Sequence, residues 1–289
     1  MRLRTWPVLR LAFRSPLDEA GRERLWLDVD DCGVSAVEDD DDKVSLFFAD
    51  GAHRDAAADL LARRGWLSQA ALTPEDVADE GWAARSQANL AAIRVGRIVV
   101  APPWDVPASG EADLQVIEVE PSTGFGTGHH QSTRLCLRAL QDLDLRGVRV
   151  LDIGTGSGVL AVAAIRLGAA EALGIDNDPD AVESAQDTLR RNGLEPGGSV
   201  RMELRGLDDG ALVPADVVCA NLTGALLRQQ GTRVQALVVP GGRAVLSGFT
   251  EDEARWVREA FDLCDVAATH VEEFWVAYVL RRREEIAQA

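Results

Sequence analysis

The segment Val150-Leu151-Asp152-Ile153-Gly154-Thr155-Gly156-Ser157-Gly158-Val159-Leu160 constrains the fold more than any other stretch of the chain. A short, mostly apolar strand runs into three glycines at alternate positions and then into an apolar helical pattern. Glycine tolerates positive φ and lets a ligand approach the backbone, and open parallel sheets bind ligands at the carboxyl ends of their strands. The spacing is G-x-G-x-G, and Val159 stands where G-x-G-x-x-G would need its third glycine, which disfavours a dinucleotide reading.

The pattern continues downstream. Strands are expected over Val148–Ile153, Ala172–Asp176, Val200–Leu204, Asp216–Ala220 and Gly242–Leu246, with helices over Val159–Leu167, Pro179–Asn192, Ala225–Val238 and Glu251–Ala260. Short apolar strands alternating with helices imply a parallel sheet covered on both faces. The last two strands, Cys264–Thr269 and Phe274–Leu280, are joined too closely for a helical crossover and are expected to pair antiparallel.

Upstream, Pro7–Phe13 reads as a strand, Leu17–Val29 as a helix, Val34–Val37 and Val44–Phe48 as strands, and Ala56–Arg64 as a second helix ended by Gly65. This order implies a small α+β, ferredoxin-like module over residues 1–65. Residues 66–113 read as a connector, with a helix near Pro74–Glu80 and one strand over Ile93–Val100 stopped by proline. Residues 114–289 form the α/β domain. The run Glu38 to Asp42 reads as a solvated hairpin tip, with a contact to a basic partner as the alternative.

The chain has 289 residues and a formal charge of −17. That balance argues against nucleic acid as the main partner, because phosphate binding needs clustered Lys and Arg, and it suits a basic protein partner. The 46% hydrophobic fraction can fill a sizeable core. Cys32, Cys136, Cys219 and Cys264 form no C-x-x-C pair, so neither a disulfide framework nor a zinc ribbon is expected. No signal-peptide core or membrane-length apolar run is apparent, and a cytoplasmic protein with no membrane partner is expected.

Asp176 falls 18 positions after Gly158, where a carboxylate can accept both hydroxyls of a ribose. Asp178 precedes Pro179 and reads as a helix cap. His129 and His130 supply no metal ligand set.

The glycine strand, the acidic strand end and the terminal hairpin resemble the class I S-adenosylmethionine-dependent methyltransferases, a Rossmann-like fold. The segment Glu120-Pro121-Ser122-Thr123-Gly124-Phe125-Gly126-Thr127-Gly128-His129-His130-Gln131-Ser132-Thr133 is similar to the D-P-G-x-A-F-G-T-G-T-H-x-T-T loop of the ribosomal protein L11 methyltransferase family. Val217 to Gly224, ending N-L-T-G, resembles that family's V-A-N-I-L-A segment. Trp82, Val95-Gly96-Arg97, Pro103-Trp104 and Ser247-Gly248-Phe249 fit its connector and its S-G-I.

The resemblance implies methyl transfer from S-adenosylmethionine, leaving S-adenosylhomocysteine, to lysine side chains and the N-terminal amine of ribosomal protein L11. It implies that the N-terminal module recognises this small basic protein. Thr133 is implied to bind the cofactor, Gly154 to let its methionine end approach, Asp176 to hold the ribose, and Asn221 to sit beside the methyl group as the catalytic residue. Phe125, Thr127, Gly128 and His130 belong to the covering loop, and Gly156 to the glycine turn. Asp152 is implied to reach the methionine amino group, and Asp208 the adenine. Thr133 as the cap of a helix over Arg134–Leu140, and Asn221 bonded to its own turn, remain alternatives. So do a different basic protein target, a small-molecule acceptor and a non-catalytic nucleotide-binding regulator.

Overall fold

Leu9 and Leu11, two residues apart on β1 (Thr5–Phe13), are buried on the same face of a sheet, while Arg10 between them is exposed. This period of two puts Leu9 and Leu11 on the covered face of a strand, with Val8 buried on the opposite face as well. The structure, a computed structural model, describes residues 5–29, 32–40, 42–78, 90–107, 113–121, 130–195, 197–209 and 212–284, in two units, Met1–Arg85 and Ser86–Ala289.

In the first unit, β1 is followed by α1 (Glu19–Val29), β2 (Val34–Asp40), β3 (Lys43–Phe48), α2 (Gly51–Arg63) and β4 (Ala70–Ala78). The sheet order is β2-β3-β1-β4, antiparallel throughout. Both helices share one core with it, built on Leu9, Leu11, Leu25, Leu46, Phe48 and Leu61. Asp50 caps α2 by accepting from the His53 N–H at 3.0 Å. The buried Trp66 directs its indole N–H to Asp28 across 2.8 Å.

Where a helix was expected near Pro74–Glu80, the described residues 74–78 belong instead to strand β4, so the sheet continues past residue 65. Proline is tolerated there because β4 lies at the sheet edge, where a missing N–H breaks no second ladder. The acidic run begins inside β2, where Asp39 and Asp40 pair in register with Val44 and Lys43, and Asp39 also meets Arg22.

In the second unit, the single strand expected over Ile93–Val100 is a hairpin of β5 (Ile93–Val95) and β6 (Ile98–Ala101), turning at Gly96 with φ 59°. The chain then adds β7 (Gln115–Glu118) parallel to β6. The large sheet contains β8 (Arg149–Ile153), β9 (Glu171–Asp176), β10 (Val200–Leu204), β11 (Ala215–Asn221), β12 (Val238–Thr250), β13 (Cys264–Glu272) and β14 (Trp275–Arg282). Its order is β10-β9-β8-β11-β12-β14-β13: five parallel strands, then β14 inserted antiparallel beside β12, with β13 at the edge.

Two cores sandwich this sheet. Val150, Val217 and Cys219 face α3 (Gln131–Gln141), α4 (Val159–Arg166) and α5 (Pro179–Arg191). Their neighbours Leu151, Val218 and Ala220 face α6 (Gly224–Ala236) and α7 (Glu251–Glu259). Since β8 leads outward to β9 and β11 lies on its other side, a crevice opens between them at the carboxyl edge, the ligand-binding position of such sheets.

Candidate active site

The end of β8 passes through Gly154, Gly156 and Gly158 with φ of 68°, 53° and 78°. At Gly154 the reason is also steric, since a Cβ would lie 2.5 Å from Leu222 Cδ2. The turn is locked from two sides. The Thr155 hydroxyl donates to Asp152 Oδ2 at 2.7 Å, and the Gly156 N–H donates to Asp176 Oδ2 at 3.0 Å. Asp176 Oδ1 also accepts from the Asp178 N–H at 3.1 Å, and Asp178 caps α5 through the Asp180 N–H.

An open cleft of about 370 Å³ adjoins this turn. Gly154, Asp176, Asp208 and Leu222 line it, joining the ends of β8, β9 and β11 to the loop after β10. Its size falls within the range of small-ligand pockets. The Asp208 carboxylate is paired with Arg233 at 2.6 Å, while neighbouring Asp209 accepts from the Gly206 N–H.

Beneath the turn, Asp152 is 1% exposed. Burial pushes its carboxyl up to about 6, against the opposing pull of the Thr155 hydroxyl. Its Oδ1 has no hydrogen-bond partner among the described residues. Burial also pushes the thiols of Cys136 and Cys219 well up, so each is a neutral thiol rather than a thiolate nucleophile.

Asn221 ends β11, and its side-chain amide donates to Thr133 Oγ1 at 3.2 Å. Thr133 is buried in the first turn of α3 but does not cap it. His130 does, its ring accepting from the Ser132 N–H at 3.2 Å. The helix therefore begins three residues earlier than the alternative reading required, which leaves the Thr133 hydroxyl facing Asn221. The His130 ring lies edge-on to Trp275, with centroids 4.5 Å apart, and burial followed by nearby Arg134 lowers its pKa.

Gly154, Gly156, Asp176 and Asp208 thus gather at or beside the cleft, and Thr133, His130, Asn221 and Asp152 lie at the carboxyl side of the same sheet. Phe125, Thr127, Gly128 and Trp82 lie outside the described residues. Three participants were not singled out as site residues by the sequence. Thr155 fixes Asp152, Leu222 packs over Gly154, and Gly248 (φ 92°) gives Leu222 room, since a Cβ there would meet the Leu222 carbonyl oxygen at 2.4 Å. The D-x-x-T spacing of Asp152 and Thr155 was the available signal for the first.

The donor set suits S-adenosylmethionine. The unpartnered buried Asp152 oxygen complements an ammonium, the Asp176 carboxylate retains acceptor capacity for a diol, and the cradle at Gly154 would be filled by any Cβ. Together with a sheet ending in a reversed, inserted strand, these features define a class I S-adenosylmethionine-dependent methyltransferase.

The family model described as ribosomal protein L11 methyltransferase matches residues 19–283. A protein of that name from Deinococcus radiodurans is 36% identical over 250 residues, 84% of this chain and 85% of the relative. One from Geobacter sulfurreducens is 41% identical over 210 residues, 71% of this chain and 67% of the relative. In three dimensions, the ribosomal protein L11 methylase from Lactobacillus delbrueckii subsp. bulgaricus aligns with TM-score 0.62 at 21% identity, covering 68% of this chain and all of the other, and supports the fold. The chain belongs to the ribosomal protein L11 methyltransferase family. Among the described residues, no helix is long and apolar enough to cross a membrane.

Proposed function

We propose that this protein methylates amines of ribosomal protein L11, taking lysine side chains and the N-terminal amine as acceptors. The observation that carries this reading is the Thr133–Asn221 pair, held at the sheet's carboxyl edge beside a cleft whose residues suit the cofactor. The relatives named for L11 methylation support the substrate.

Bound S-adenosylmethionine supplies a methyl group already activated on a sulfonium sulfur. The protein's task is alignment, because in-line transfer needs reacting atoms about 3–3.5 Å apart. Asp176 holds the ribose, Asp152 the amino group, Gly154 admits the methionine end, and Thr133 orients Asn221. The acceptor amine must be deprotonated, and its free pKa of about 10.4 falls on entering a desolvated pocket. The Asn221 side-chain oxygen can accept a hydrogen bond from that amine while its amide group donates to Thr133.

The N-terminal module, whose sheet runs on to β4, is the recognition element. Its first 65 residues hold 10 Lys and Arg against 14 Asp and Glu, a balance that permits attraction to a basic partner. A cytoplasmic location follows from a ribosomal substrate. The test is transfer of radiolabelled methyl from the cofactor to purified L11. Label on L11 that is absent from an acidic control protein supports the reading, and no label with cofactor binding intact overturns the substrate.

A further inference from the structure

The tip of the β13–β14 hairpin is attached to the first turn of α3. Gln131 Nε2 donates to Glu273 Oε2 at 2.9 Å, and the Arg134 guanidinium donates through Nε to Glu272 Oε1 at 2.8 Å. These contacts span 142 and 138 positions of sequence. Trp275, directly across the turn from Glu272, packs against the capping His130. On its other side the tip is tied to α7, where the Glu251 N–H donates to the Phe274 carbonyl at 3.0 Å.

The turn itself is unusual. Glu273 has φ 55° and is the one non-glycine residue with positive φ among the described residues. A two-residue hairpin turn favours glycine at such a position, and a side chain there stores strain. Here the strained residue is the one whose carboxylate reaches Gln131.

We infer that Glu272 and Glu273 are positioning residues for methyl transfer: they fix the roll of α3 so that the Thr133 hydroxyl faces Asn221. At about 100° per residue, Gln131 and Arg134 lie roughly 60° apart on one side of the helix, and Thr133 points elsewhere, into the core. Two anchors on one side prevent the helix from turning about its axis. A roll of about 20° moves a side-chain atom about 4 Å from the axis by about 1.4 Å, enough to break a 3.2 Å hydrogen bond. The anchors thereby act on cofactor and acceptor through Thr133 and Asn221, without touching either.

The inference rests on the methyl-transfer reading. Its test compares the wild-type chain with Glu272→Ala, Arg134→Ala, the double variant and Glu272→Gln. Calorimetry gives the S-adenosylmethionine Kd, steady-state kinetics give kcat on L11, and thermal melting monitors the fold. Either alanine variant should raise Kd roughly fivefold and lower kcat roughly tenfold, and the double variant should be no worse than the worse single one. Glu272→Gln keeps an acceptor oxygen and should recover most of both. Glu273→Gly removes the Gln131 anchor at a backbone conformation that glycine favours. It keeps the test decisive if the alanine variants do not fold, and should raise Kd and lower kcat in the same direction.

A pair that only stabilises the fold would lower the melting temperature and leave Kd and kcat of the folded protein unchanged. That result, or additive effects of the two single changes, overturns the inference. Intact wild-type cofactor binding with unaltered variants overturns it alone, whereas a wild type that binds no cofactor overturns the functional reading with it.

Discussion

The Asn221 side-chain amide donates to the Thr133 hydroxyl across 3.2 Å, joining the end of β11 to the first turn of α3 over 88 positions of sequence. The bond fixes the orientation of the amide, so that its oxygen is directed by the fold rather than by solvent. Asn221→Ala should therefore lower kcat roughly 100-fold while changing the cofactor Kd less than about fivefold. Kinetics with matched calorimetry check this, and equal losses in both would assign Asn221 to cofactor binding alone.

Asp176, proposed to hold the ribose, also braces the glycine turn: Gly156 and Asp178 donate to its two oxygens. Asp176→Ala should weaken S-adenosylmethionine binding by roughly 10- to 100-fold, the range for hydrogen bonds to a charged group. Asp176→Asn, which keeps one acceptor, should fall between. Calorimetric titration decides, and an unchanged Kd for the alanine variant would misplace the ribose.

Asp152 carries a pH signature. Its folded pKa of about 6 lies above the ordinary value of 3.8. Between those values the folded state holds the proton more readily, so the contribution of this group to stability is full below about pH 4 and is lost as pH rises through about 6. Asp152→Asn should stabilise the cofactor-free protein near neutral pH by on the order of 3 kcal/mol, and so raise its melting temperature. It should also flatten the pH dependence and weaken cofactor binding. Melts of both proteins at about pH 4.5 and 7.5 test the sign; parallel curves would contradict it.

Gly248 supports Asn221 indirectly. A methyl group there would drive into the backbone of Leu222, the next residue, in a left-handed conformation that L side chains disfavour. Gly248→Ala should destabilise the protein by about 2 kcal/mol or more, lowering Tm by about 4–8 °C, and should reduce turnover with it. A normal melting temperature in differential scanning calorimetry would refute the steric argument.

The parallel part of the large sheet was legible because each strand is a short apolar run separated from the next by a helix-length polar and apolar pattern. Asp178 and Asp176 were legible for the same local reason: D-P marks a cap, and a carboxylate two residues earlier ends a strand. Local signals failed where tertiary pairing decides. Pro74 suggested a helix start, but pairing with β1 makes its segment an edge strand. Gly96 folds Ile93–Val100 back on itself, with Gln141, over forty residues away, accepting from the Arg97 N–H. Thr133 was readable as a helix cap because threonine caps well; only the fold shows that His130 has that place and that Thr133 faces Asn221. The Arg134–Glu272 and Gln131–Glu273 contacts join opposite ends of the catalytic domain, and no short-range pattern announces such pairs.

The most direct test of methyl transfer to L11 is intact-protein mass spectrometry of purified L11 from the same organism, after incubation with this protein and S-adenosylmethionine. Methyl transfer to L11 predicts a ladder of increments, each the mass of one CH₂ group, that disappears when cofactor or enzyme is omitted and maps to lysine side chains or the N-terminal amine. An unshifted L11 spectrum, obtained with cofactor binding verified on the same preparation, would contradict the assignment of L11 as substrate.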